Sequence, residues 1–150
     1  MQILWLDDNL DSIEYELELI RESNTSINIE TFENINELLG YLDNDIDENE
    51  TIFIIDIMLI NEDSIVFKEV NANIPIDLMA GVILYEECLN RYFPLTPTIL
   101  YTSRGGDDQD IFKRVRRDNR FDKTLFVIGK EELETNLKDT LKALGVKVWE

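Results

Sequence analysis

Apolar positions along the chain form short runs that alternate with helical stripes. Residues 3–6 (ILWL) are a continuous apolar run that stops at Asp7 and Asp8, as a short buried strand does. Leu10, Ile13, Leu17 and Ile20 follow at helical spacing, with Asp11 and Glu14 placed as a capping pair. Ile27, Ile29 and Thr31 alternate like a half-polar strand, and Ile35, Leu38, Leu39 and Leu42 mark a second helix. The acidic stretch DNDIDENE (43–50) reads as a solvated loop before TIFIIDIMLI (51–60), a third strand apolar throughout except at Asp56. Residues 60–80 fit neither period and read as a long loop or insertion. Val82, Tyr85, Cys88, Leu89 and Tyr92 then form a helical stripe ending before Pro94, and TPTILYTS gives a fourth strand. Residues 107–118 predict a basic helix with Ile111, Phe112 and Val115 as its apolar face. TLFVIGK is a fifth strand, and Leu133, Leu137, Leu141 and Leu144 define a last helix that Gly145 terminates. The tail VKVWE is apolar enough to pack back on the domain or to lead into something else.

Strand and helix thus alternate five times, and runs such as IFII and TLFVI are apolar on both faces. That pattern predicts an α/β doubly wound fold: a five-stranded parallel sheet covered by helices on each side. Without an internal repeat or a Pro- or Ser-rich linker, residues 1–150 read as one domain with an inserted loop at 60–80. The length suffices for a substantial core.

Charge and composition narrow the functions. A net charge of −18 argues against direct nucleic-acid binding over any broad surface. No apolar stretch is long enough to span a membrane, and the opening MQILWLDDN lacks the basic region of a secretory signal. Cys88 is the only cysteine, which excludes an internal disulfide, suits a cytoplasmic setting and predicts a small packed hydrophobe. The absence of histidine removes His-based triads and His-ligated metal sites. Cations are unevenly placed: Lys113, Arg114, Arg116, Arg117, Arg120 and Lys123 are six of the fourteen.

In a parallel α/β sheet, ligands gather at the carboxyl ends of the strands. Here those ends carry Asp7–Asp8, Asp56, Thr102–Ser103 and Lys130. An ionised acid inside an apolar strand needs a partner, and Asp56 has one if it opens onto a pocket that holds a cation. Three neighbouring carboxylates would raise each other's pKa. Mg²⁺ removes that penalty, because it takes oxygen ligands and is served by two or three carboxylates. It would leave Asp56 ionised as a nucleophile toward a phosphoryl group. Lys130 and Thr102 can hold the equatorial oxygens of that group.

The ordered set DD, D, T/S and K on strands one, three, four and five resembles the receiver domain of two-component response regulators, the CheY-like family. The resemblance covers nearly the whole chain. DIML at 56–59, PTILYTSRG at 97–105 and AGVILYEECL at 80–89 look like the family's third and fourth strand ends and the start of its third helix. It implies a flavodoxin-like strand order 2-1-3-4-5. It also implies Asp56 as phosphoacceptor, Asp8 as a direct Mg²⁺ ligand, Asp7 as a neighbouring one, and the Met58 backbone carbonyl on the metal. Thr102 would contact the phosphoryl group and Lys130 would pair with it. Three departures stand out. The glycine resembling Gly81 follows Asp56 much later than is usual, Glu131 replaces the proline after the lysine, and Val127 stands where a switching aromatic is common.

The implied function is a phosphoacceptor switch that takes its phosphoryl group from a histidine kinase or phosphotransfer protein. It is not an enzyme beyond catalysing its own phosphoryl transfer and dephosphorylation. Output would pass through protein contacts, with the basic helix 107–118 a candidate surface for a downstream protein, and a homodimer is compatible with this role. Only a short tail follows Gly145, which fits a stand-alone receiver or a fragment of a longer chain. The alternative is a receiver-like interaction module that is not phosphorylated. An aspartyl phosphatase would need a second acid two residues after its nucleophile; Met58 follows Asp56 there, and Asn9 follows Asp7.

Overall fold

The computed structural model describes residues 1–59, 64–74, 79–102, 109–130 and 136–149, with the side chains of Thr102 and Gln109 excepted. Five parallel strands form the central sheet: β1 (Gln2–Leu6), β2 (Asn28–Phe32), β3 (Thr51–Ile55), β6 (Thr98–Thr102) and β7 (Leu125–Gly129). Their order is β2-β1-β3-β6-β7, so the chain winds first to one side of β1 and then to the other. Taken in chain order these strands are 2-1-3-4-5, as the resemblance implied.

Helices cover both faces, each burying part of the stripe that the sequence pattern supplied, while Leu133 lies outside the described residues. On one face, α1 (Glu14–Ser23) and α5 (Asn136–Ala143) pack Ile13, Leu17, Ile20, Leu137 and Leu141 against Ile3, Trp5, Ile54, Ile99 and Tyr101. On the other lie α2 (Ile35–Leu42), α3 and α4 (Gln109–Arg116), with Leu38, Leu84, Cys88, Ile111 and Val115 on Leu4, Phe53 and Leu100. The helix α3 begins as Ala80–Leu84, passes through a π-helical segment Tyr85–Leu89 and ends at Asn90–Tyr92. Phe126 and Val127 divide between the two layers, as a period of two requires.

Two local features differ from the pattern-based reading. The first helix opens with a 3₁₀ turn, Leu10–Ile13, so Asp11 and Glu14 make no capping pair. Asn9 instead donates its backbone N–H to Asp7 Oδ1 at 2.9 Å. Within 60–80 stands an antiparallel hairpin, β4 (Ser64–Phe67) and β5 (Val70–Asn73), turning at Lys68 with φ 53°. Ile65, Phe67, Val70 and Ile74 are buried in one cluster with the α2 and α3 side chains. The insertion therefore extends the core on that face, while Val66 faces solvent. The tail packs back on the domain: Val146 is buried, and Asn24 exchanges hydrogen bonds with the backbone of Lys147. Gly145 at φ 90° closes α5, with Val146 N–H bonded to Leu141 O. No helix among the described residues is long and apolar enough to cross a membrane.

Candidate functional site

Parallel pairing fixes which strand ends meet. Leu6 of β1 lies opposite Ile55 of β3, so Asp7 and Asp56, the next residue of each strand, emerge side by side. The ladder continues past the strands: Asp56 N–H donates to Leu6 O at 2.9 Å and Asp7 N–H to Phe32 O at 3.0 Å. Asp7, Asp8 and Asp56 each bring a carboxylate oxygen within 4.8 Å of the others'. Asp7 is fully buried and Asp56 is 6% exposed.

Lys130, one residue past β7, reaches into this cluster. Its Nζ stands 2.7 Å from Asp7 Oδ2 and 3.8 Å from Asp56 Oδ2. One ammonium against three acids leaves the site short of positive charge. Burial pushes the Asp56 carboxyl up to about 7; Lys130 opposes the shift, whereas Asp7 and Asp8 add to it. Asp56 Oδ1 accepts a bond from Met58 N–H at 3.3 Å, which leaves Oδ2 facing the ammonium.

The donor set fits a hard divalent cation. Oxygens on opposite sides of one Mg²⁺ lie about 4.2 Å apart, close to the spread of these carboxylates. Such a cation would neutralise the neighbouring acids, Asp7 and Asp8, that add to the rise at Asp56.

The loop after β3 rests directly on α3. Gly81 N–H donates to Ile57 O at 2.8 Å, and a Cβ at Gly81 would stand 2.1 Å from the Asp56 carbonyl oxygen. No side chain larger than hydrogen fits this approach. The intervening twenty-four residues contain the insertion without separating Gly81 from Asp56 in space.

The other expected participants divide. Thr102 closes β6, paired with Gly129, while its side chain lies outside the described residues, as do Ser103 and Glu131. Helix α4 spans Gln109–Arg116 of the basic segment 107–118, with Lys113, Arg114 and Arg116 exposed. Arg114 pairs with Glu86, and Arg116 lies 4.2 Å over the Phe112 ring. Arg120 is not part of that surface. It bonds Asn90 Oδ1 at 3.0 Å, Thr96 O at 2.6 Å and Thr124 Oγ1 at 2.8 Å, tying α3 to the turns before β6 and β7. Cys88 is fully buried with its thiol pushed up to about 11 by burial, as a packed hydrophobe should be.

Pattern reading missed Glu16 and Tyr101, which lie in the layer behind the site. Glu16 is buried on α1, and the Tyr101 ring sits 5.8 Å beneath Lys130 Nζ. The available signal was position: residue 16 falls on the stripe made by Ile13, Leu17 and Ile20.

No protein-family model and no curated protein matches the sequence. Solved structures do match in three dimensions. RcsB from Salmonella enterica serovar Typhimurium, bound to promoter rprA in the presence of phosphomimetic BeF3⁻, superposes with TM-score 0.63 at 18% identity, over 96% of this chain and 67% of that one. A response regulator receiver domain from Rhodospirillum rubrum gives 0.58 at 18%, over 96% and 88%. The response regulator TrrA from Thermotoga maritima, in complex with Mg²⁺–BeF, gives 0.56 at 20%, over 95% and 97%. The chain has the fold of response-regulator receiver domains.

Proposed function

We propose that this chain is a phosphoacceptor receiver of a two-component system, phosphorylated on Asp56 in a Mg²⁺-dependent reaction. One observation carries the reading: a buried carboxylate, Asp56, lies 3.8 Å from the half-buried ammonium of Lys130 and within 4.8 Å of two further acids at the carboxyl edge of a parallel sheet. A carboxylate so placed is neither a solvated surface acid nor a simple ion pair. The acceptor geometry of this fold, and the Mg²⁺–BeF bound to one of its structural relatives, favour phosphoryl chemistry.

The chain's own residues supply attack and charge. In the transfer, Asp56 Oδ2 forms a bond to phosphorus as the bond to the donor breaks, with a phosphohistidine nitrogen or an acyl oxygen leaving. Met58 N–H holds Oδ1, so one oxygen is fixed and the other is presented. Lys130, held by Asp7, stands where it meets an equatorial oxygen of the incoming group. By the resemblance, Thr102 provides a further contact on the same group. Asp7, Asp8, Asp56 and the Met58 carbonyl would hold Mg²⁺, which when bound neutralises the acid cluster and the phosphoryl charge. The donor would be a histidine kinase or phosphotransfer protein, and exposed cations of α4 would meet a downstream protein. No activity beyond the chain's own phosphorylation and dephosphorylation is proposed.

The test is incubation with acetyl phosphate and Mg²⁺, followed by intact-mass measurement. One phosphoryl group should appear on the native chain and none on Asp56→Asn or in excess EDTA. Failure of every donor tried, or equal labelling of Asp56→Asn, overturns the reading in favour of a non-phosphorylated docking module.

A further inference from the structure

Three polar atoms in the layer between the sheet and α1/α5 are buried without a hydrogen-bond partner: Trp5 Nε1, Glu16 Oε2 and Tyr101 OH. Buried polar groups are almost always satisfied by protein or by ordered water. These three cluster by position. Trp5 precedes Asp7 by two residues on β1 and so shares its side of the sheet. The Trp5 and Tyr101 rings meet edge to face at 5.7 Å, and Tyr101 lies under Lys130. Glu16 occupies the core stripe of α1, and its carboxyl is coupled electrostatically to Lys130, Asp7 and Tyr101. Burial raises the Glu16 carboxyl from its ordinary range. A leucine at 16 would complete the apolar stripe, so the polar choice breaks the pattern at the face that carries Asp7 and Lys130.

The donor and acceptor inventory is complementary. Trp5 offers one donor, Glu16 an acceptor, and Tyr101 either. Lys130 has three N–H donors, of which Asp7 takes one at 2.7 Å, while Asp56 at 3.8 Å is beyond hydrogen-bond reach.

We infer that Trp5, Glu16 and Tyr101 line an internal water site behind the Asp7–Lys130 pair, and that Glu16 is a positioning residue for Lys130. The bound water bridges the Glu16 carboxyl to the ammonium from below and holds Lys130 at the height of Asp56. The water site stands on burial, on the Trp5–Tyr101 ring contact and on the place of Glu16 in the buried stripe of α1; the positioning role rests on the proposed phosphoacceptor reading.

Two variants test it, Glu16→Leu and Glu16→Gln, each with two readouts. In high-resolution crystals of the native chain, an ordered water should lie within hydrogen-bond distance of Glu16 and of Tyr101 or Trp5, and be lost in Glu16→Leu. Glu16→Leu should melt no lower than the native chain. With acetyl phosphate and Mg²⁺ it should need at least fivefold more donor for half-maximal labelling, and Glu16→Gln should stay within twofold of native. A dry layer in the native crystal overturns the water site. Unchanged donor dependence in Glu16→Leu, or an equal loss in Glu16→Gln, overturns the positioning role. A native chain that takes no phosphoryl group from any donor refutes the phosphoacceptor reading and the positioning role with it, and the crystal alone then judges the water site.

Discussion

At the residue scale, the site is an electrostatic compromise. Asp56 is ionisable where ionisation is opposed by burial and by two neighbouring acids. Its carboxyl moves from 3.8 unfolded to about 7 folded. Between those values the native chain binds more protons than the unfolded one, so without metal its stability falls as pH rises through that window. The loss approaches roughly 4 kcal/mol when complete. Urea unfolding at pH 4.5 and 7.5 should show this fall in the native chain and a smaller one in Asp56→Asn; identical slopes would contradict the assignment. Lys130→Met removes the partner of a fully buried carboxylate, and breaking such a pair costs about 3–5 kcal/mol. Its urea midpoint should drop accordingly, and adding Asp7→Asn should recover part of the loss. The acids and Lys130 were legible because each stands at the end of an apolar run. Glu16 was not, because a single acid on a helix reads as solvent-facing until its stripe is compared with the buried one.

At the scale of elements, two contacts fix the site's frame. The first is the seat of α3 on the loop after β3, where Gly81→Ala would force a Cβ to 2.1 Å from the Asp56 carbonyl. Relief must come from backbone movement, at about 3 kcal/mol; chemical denaturation would measure it, and an unchanged midpoint would show the approach to be looser. The second is the hairpin. Its alternation of Ile65 and Phe67 inward with Val66 outward is a strand signal, but each strand is only four residues long. The turn carries Lys68 and Glu69 in place of the Gly or Asn that usually marks a tight reversal. For that reason residues 60–80 read as a loop. Ile65→Ala should cost about 2–5 kcal/mol, as a core truncation does, whereas Val66→Ser should stay within about 0.5. Equal, small effects would mean that the hairpin is merely a surface attachment. The π-helical turn in α3, Tyr85–Leu89, left no trace in the pattern.

At the scale of the whole molecule, a strongly acidic chain concentrates a buried acid cluster at one edge of the sheet and exposed cations on α4. Five alternating elements predicted the parallel sheet, and its strand order followed from the resemblance. The division of Arg120 from the basic surface did not, because only the folded chain brings it to Asn90 and Thr96. The doubly wound sheet matters because it aligns the ends of β1, β3 and β7, which lie far apart in sequence, into one cluster of charged side chains. The most direct test traps the acyl phosphate formed with acetyl phosphate and Mg²⁺ by borohydride reduction and locates the modified residue by peptide mapping. The account predicts reduction at residue 56 alone, dependent on Mg²⁺; modification at another acid, or at none, would contradict it.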